Sequence, residues 1–179
     1  SPRKTIHTTP RRTFLKSAAA AGAELLILPS GTRIGAAAPS NKLNIALIGS
    51  DGRARAHYDA VKNENVVALC DVDEEHIAFA AERFPKARHY VDWRKCLEQK
   101  DLDAVFCCTT DHTHAFVSVW AMNRGLHVYG EKPLANSITE CRIMLEAARK
   151  YNRVVQVGQQ QRSGTHWKSA MDFIRSGKL

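Results

Sequence analysis

Residues 41–179 predict an α/β fold, a doubly wound parallel sheet covered by helices on both sides. Six short strand-like runs alternate with stretches of helical periodicity. Those at 44–49, 66–71 and 104–109 are apolar almost throughout rather than at every second position, the pattern of strands buried on both faces of a parallel sheet. Polar and glycine residues stand where the runs stop, at the carboxyl ends where such sheets bind ligands.

The elements follow in order. Residues 44–49 (NIALIG) make the first strand and 53–63 a helix. Residues 66–71 (VVALCD) are β-branched and end on an acid; 74–84 place Ile77, Ala80, Ala81 and Phe84 on one side of a helix. A short strand at 88–91 and a helix at 93–98 lead to the apolar run 104–109 (AVFCCT). The helix at 114–124 stops at Gly125, a C-cap residue. A strand at 126–130 precedes Ser137-Ile-Thr-Glu140, a capping box opening a helix to about Lys150. The last strand is 154–158, and 165–176 form a helix ended by Gly177.

Composition excludes several classes. With 44% hydrophobic and 25% charged residues, the chain of 179 residues has material for a core. Its five cysteines (Cys70, Cys96, Cys107, Cys108 and Cys141) include no CxxC pair, so neither a disulfide framework nor a zinc ribbon is indicated. Five of the eight net positive charges lie in residues 1–40, so the basic excess makes no nucleic-acid patch on a folded domain.

Residues 1–40 read as an address. Pro10-Arg11-Arg12-Thr13-Phe14-Leu15-Lys16 resembles the twin-arginine export signal. An apolar run over 18–29 follows, shorter than the roughly 20 residues that span a bilayer. Ala36-Ala37-Ala38 then offers a small-residue cleavage site. The expectation is export to the periplasm or beyond by the twin-arginine route, a mature chain from near Pro39, and no other membrane association.

The turn after the first strand, Gly49-Ser50-Asp51-Gly52-Arg53-Ala54, stands where a dinucleotide-binding, Rossmann-like unit has G-x-G-x-x-G/A. Gly49 makes the tight turn, and the following helix offers N–H groups to a pyrophosphate. Asp51 replaces the second glycine. A carboxylate about 5 Å from a phosphate costs roughly 1–3 kcal/mol, so Asp51 is expected to turn to solvent, with Gly52 giving room and affinity weakened. Asp71, 22 residues after Gly49, is placed to accept from the adenosine ribose hydroxyls and to favour NAD over NADP; Asp73 fits a helix cap better.

Two further turns complete the pattern. Thr109-Thr110-Asp111-His112-Thr113-His114 follows the fourth strand, and Glu131-Lys132-Pro133 follows the fifth. With these, the chain from about 42 to 179 resembles the Gfo/Idh/MocA oxidoreductases, whose TPxxxH and EKP turns occupy these places; Thr110 stands where the family has proline. The resemblance implies NAD as cofactor, held by Gly49, Ser50, Asp51, Gly52, Arg53, Asp71, Thr109, Thr110, His112, Glu131, Lys132 and Gln159, and catalysis by Lys132 with His114. Hydride removal from a sugar carbon requires loss of its hydroxyl proton, and a lysine at the nicotinamide end of the sheet suits that task. His112 and His114 near Cys107 and Cys108 lack further ligands at useful spacing, so no metal is expected.

The domains expected are 1–40 (signal), 41–162 (NAD-binding) and 163–179, the first helix of a truncated C-terminal α/β substrate domain. The family has such a domain, and this chain stops at Leu179 where it begins. Three readings stay open: an exported NAD-dependent oxidoreductase of a sugar or polyol, homo-oligomeric in full-length form; an NAD-using glycosidase; and a non-catalytic nucleotide-binding fragment.

Overall fold

The computed structural model describes residues 42–178. The export signal expected in residues 1–40 lies outside them. Strand β1 (Asn44–Ile48) leads through a 3-10 turn (Gly52–His57) to the single helical turn α1 (Tyr58–Val61) and then to β2 (Asn65–Cys70). Next come α2 (Glu74–Arg83), β3 (Arg88–Tyr90), α3 (Trp93–Cys96) and β4 (Ala104–Cys107). A 3-10 turn (Asp111–Thr113) opens α4 (His114–Asn123), followed by β5 (His127–Glu131), α5 (Ile138–Lys150) and β6 (Val155–Gly158). A last 3-10 turn (Gln160–Ser163) precedes α6 (Thr165–Arg175).

All six strands are parallel, in the order β3-β2-β1-β4-β5-β6. This is the Rossmann order, and the connection direction reverses between β1 and β4, which opens a crevice at their carboxyl ends. The continuous apolar character of the strands has the expected cause. In β1, Ile45 and Leu47 pack with Val61, Ile77 and Ala80 on one face, while Ala46 and Ile48 pack with Cys96, Val117 and Met122 on the other. Neither face meets water, so no alternate position can be polar.

Caps set several boundaries. Asp73 accepts from Glu75 N at 2.9 Å and opens α2. Ser137 and Glu140 form the reciprocal capping box of α5. The helix expected over 53–63 is instead a 3-10 turn and one α-turn, and the tightened backbone brings Arg53 and His57 onto one carboxylate, Glu131. Helix α6 buries none of its residues; Trp167, Met171, Phe173 and Ile174 are about half exposed.

Candidate functional site

The crevice at the switch point is a cleft of about 450 Å³ bordered by the β1, β2 and β4 loops. Gly49 makes it possible. Its φ is +80°, and a Cβ there would lie 2.7 Å from the carbonyl carbon and oxygen of Cys108. Any side chain would push the β1 and β4 loops apart. Gly52 also has positive φ, +57°, but faces open space, so its requirement is conformational alone.

Ser50, between the cleft-lining Gly49 and Asp51, is fully buried. It ties the loop together. Its N–H donates to Asp71 Oδ2 at 2.8 Å, and its carbonyl accepts from the Tyr58 hydroxyl. Asp51 does not turn to solvent. Its carboxylate is ion-paired with Arg55, four residues on, through Nε and through Nη2 at 2.8 Å. The Arg55 hydrogen bond, helped by the Gly52 N–H and the nearby His76, outweighs desolvation and brings Asp51 down to about 2. The negative charge expected against a pyrophosphate is thus already paired.

Asp71 stands at the β2 tip inside the cleft. Oδ2 is held by Ser50 N, while Oδ1 accepts from Asp73 N at 3.2 Å and lies 3.3 Å from His76 Nδ1. Thr109, Thr110 and Thr113 border the other side. Thr110 has φ −70°, the value proline would impose, so the backbone here would accept the proline of the family pattern. His112 is exposed on the short turn, between Thr110 and Thr113.

The second group lies at the ends of β5 and β6. Glu131 is buried, 3% exposed. Its Oε1 accepts from His57 Nε2 at 2.6 Å and pairs with Arg53 Nε at 2.9 Å; Oε2 accepts from Lys132 N at 3.1 Å. Burial raises the carboxyl's pKa, but the hydrogen bonds from Arg53, His57 and Lys132 N outweigh it, and the net direction is down. With its amide oriented to satisfy both neighbours, Gln160 accepts from Arg53 Nη2 at 2.7 Å and donates to the Gly158 carbonyl at 2.6 Å. A Cβ on Gly158 would meet Tyr129 Oη at 2.8 Å and Glu131 Oε1 at 3.1 Å, so this glycine leaves room for the network. Glu131 therefore anchors its loop, and both its oxygens are engaged before any cofactor arrives.

Lys132 is exposed beyond this anchor, and its bond to Pro133 is cis. His114 is buried, 1% exposed, with Nδ1 2.7 Å from the Pro133 carbonyl and Nε2 3.0 Å from the Thr109 carbonyl. Both ring nitrogens face backbone, and the ring presents no polar atom to the cleft. Its ring ties the Thr109 turn to the Pro133 turn, a positioning geometry. Gln159 is exposed at the β6 end, where its side chain accepts from Arg162 at 3.2 Å.

Sequence reasoning missed His57, Arg55 and His76. Arg55 lay within reach of inference, since an acid and an arginine four residues apart pair on a helical turn. His57 meets Glu131 across 74 residues, and nothing local announces that contact. Among the described residues, no group of three His, Cys, Asp or Glu side chains could hold a metal. No described helix is long and apolar enough to cross a membrane.

Residues 43–159 match the family model described as "Oxidoreductase family, NAD-binding Rossmann fold" (GFO_IDH_MocA). The chain is 31% identical over 139 residues to inositol 2-dehydrogenase of Salmonella typhimurium, covering 76% of this chain and 41% of that protein. It is also 31% identical over 122 residues to glycosyl hydrolase family 109 protein 2 of Phocaeicola vulgatus, covering 62% and 30%. The fold superposes on myo-inositol 2-dehydrogenase from Lactobacillus plantarum with TM-score 0.70 at 23% identity, over 78% of this chain and 42% of that one. The chain thus spans less than half the length of these relatives. The glycine turn, Asp71 and the anchored lysine loop stand together at the carboxyl edge of the sheet, and the chain belongs to the Gfo/Idh/MocA oxidoreductase family, of which it carries the NAD-binding Rossmann domain.

Proposed function

We propose that this domain serves an exported oxidoreductase that moves a hydride between NAD and a hydroxyl-bearing carbon of a sugar or polyol. The observation that carries the reading is the presentation of Lys132. Its loop is held from one side by Glu131 and from the other by His114, and the amine is left exposed at the carboxyl edge of the sheet. The likeness to inositol 2-dehydrogenase supports a polyol substrate.

NAD, when bound, supplies the hydride acceptor. The chain's own residues prepare the rest. Gly49 lets the loop close under the cleft, and Asp71 offers its carboxylate to the ribose hydroxyls. Lys132 Nζ, in its neutral form, takes the hydroxyl proton of the substrate as the C–H bond is lost, and returns it in the reverse direction. We place the surfaces that exclude water and hold the sugar in a substrate domain that includes α6 and corresponds to the relatives' additional length. On this reading the 179-residue chain binds NAD but does not turn over sugar.

An enzyme comprising this domain and a substrate domain should lose roughly 10²-fold or more in kcat on Lys132→Ala. The assay follows both reduced nicotinamide and release of an aglycone. Accumulating NADH with a free polyol supports the oxidoreductase. Aglycone release without net reduction supports an NAD-using glycosidase, the second reading, which the likeness to glycosyl hydrolase family 109 protein 2 favours. Sustained polyol oxidation by the 179-residue chain would refute the two-domain requirement.

Export rests on the Arg11-Arg12 motif and the alanines that follow it. A folded reporter fused behind residues 1–45 should reach the periplasm and should stay in the cytoplasm when both arginines become lysine. Export that survives the double replacement excludes the twin-arginine route.

A further inference from the structure

We propose that His76 sets which adenosine ribose the cleft accepts, its imidazolium admitting a 2′-phosphate and its neutral ring excluding one. The inference builds on NAD binding at this cleft and concerns a residue beyond the glycine turn and Asp71. His76 borders the cleft from the first turn of α2. Its Nδ1 is 3.3 Å from Asp71 Oδ1, the oxygen of the ribose-side acid not held by Ser50. Its Nε2 is 3.8 Å from Asp51 Oδ2 and 3.7 Å from Asp73 Oδ2. A ribose hydroxyl or its phosphate that reaches Asp71 Oδ1 therefore arrives beside this ring.

The other cations nearby are engaged. Arg55 is paired with Asp51, its guanidinium 3.8 Å over the Phe79 ring. Arg53, the other base bordering the cleft, is drawn to the opposite side by Glu131 and Gln160. The groups facing His76 are thus Asp71 from β2, Asp51 with its partner Arg55 from the glycine turn, and Asp73 at the cap of its own helix. Tyr58 lies beyond, bonded to the Ser50 carbonyl.

With the ring neutral, Asp71 and Asp73 present unbalanced negative charge to a 2′-phosphate. With the ring charged, one cation stands between those acids and the phosphate. Burial lowers the imidazole's pKa, but the Asp71 hydrogen bond and the charges of Asp71, Asp73 and Asp51 outweigh it and raise it above the ordinary histidine value. The charged form therefore persists to a higher pH than in an unperturbed histidine.

The test is calorimetric titration of the 179-residue chain with NAD⁺ and with NADP⁺ at about pH 6 and about pH 8.5. The preference for NAD⁺ over NADP⁺ should shrink by about 5-fold or more on going to the lower pH, the scale of one partly screened charge contact. The 2′-phosphate itself gains a proton near pH 6, which weakens its attraction to a cation and so opposes this trend. His76→Gln should abolish the shift toward NADP⁺, and His76→Arg should hold NADP⁺ affinity at its low-pH level throughout. An unchanged preference, or an equal shift in His76→Gln, overturns the inference while NAD⁺ binding stands. No binding of NAD⁺ at either pH would overturn the inference and the cofactor reading together.

Discussion

Asp51 and Arg55 show how one pair reverses a charge argument. An unpaired carboxylate in the second-glycine position would oppose a pyrophosphate, and Asp51→Gly would then tighten NAD binding. The pair in the structure removes that penalty, so Asp51→Gly should change NAD affinity by less than about 3-fold, because the carboxylate it removes is already neutralised and Arg55 stays stacked on the Phe79 ring rather than turning to the phosphate. Arg55→Ala should do more harm, weakening NAD by about 5-fold, since it leaves the carboxylate beside the phosphate loop with screened repulsion of about 1 kcal/mol. Titration calorimetry of the two variants separates the cases. A large gain in Asp51→Gly would mean that the bound state breaks the pair and turns the acid toward the phosphate.

At the scale of elements, His114 joins two loops that lie 19 residues apart in sequence. Helix α4 delivers it, Thr109 ends its reach on one side, and Pro133 receives it on the other. His114→Ala removes the N–H that bonds one of these buried carbonyls and opens a void. It should cost about 2–4 kcal/mol in urea denaturation and speed exchange of the Lys132 amide, which Glu131 otherwise holds. Ser137→Ala, at the cap of α5, should cost about 1 kcal/mol and leave that amide unchanged. Equal Lys132 exchange in the two variants would mean that His114 contributes packing but does not position the loop.

Over the whole molecule, two depressed carboxyls shape stability in acid. Asp51 lies at about 2, held there by Arg55, and Glu131 is lowered by Arg53, His57 and the Lys132 amide against the pull of its burial. In both cases the folded pKa is below the unfolded one. Their contribution is complete above the ordinary carboxyl range and is lost as pH falls through the folded values. Urea midpoints should therefore drop from about pH 5 toward pH 2, and the double variant Asp51→Asn, Glu131→Gln should be less stable at neutral pH with a flatter acid limb. An acid limb as steep as the parent's would assign acid sensitivity to other carboxylates.

The sheet was legible from the sequence because burial on both faces writes itself as unbroken apolar runs such as NIALI and NVVALC. The glycine turn, Asp71 and the lysine turn were legible too, since each ends a run and the sheet gathers such ends at one edge. The roles within that edge were not. Whether Asp51 faced phosphate, solvent or Arg55 depended on the turn of one side chain. Glu131 and His114 resemble ligands in sequence, yet the fold buries both and uses their polar atoms to hold backbone and neighbouring side chains. A local sequence carries periodicity, caps and turn chemistry because these depend on residues a few places apart. Which polar group reaches the cleft and which is spent holding a loop depends on partners such as His57 and Glu131, 74 residues apart, and only the packed chain brings those within hydrogen-bond range.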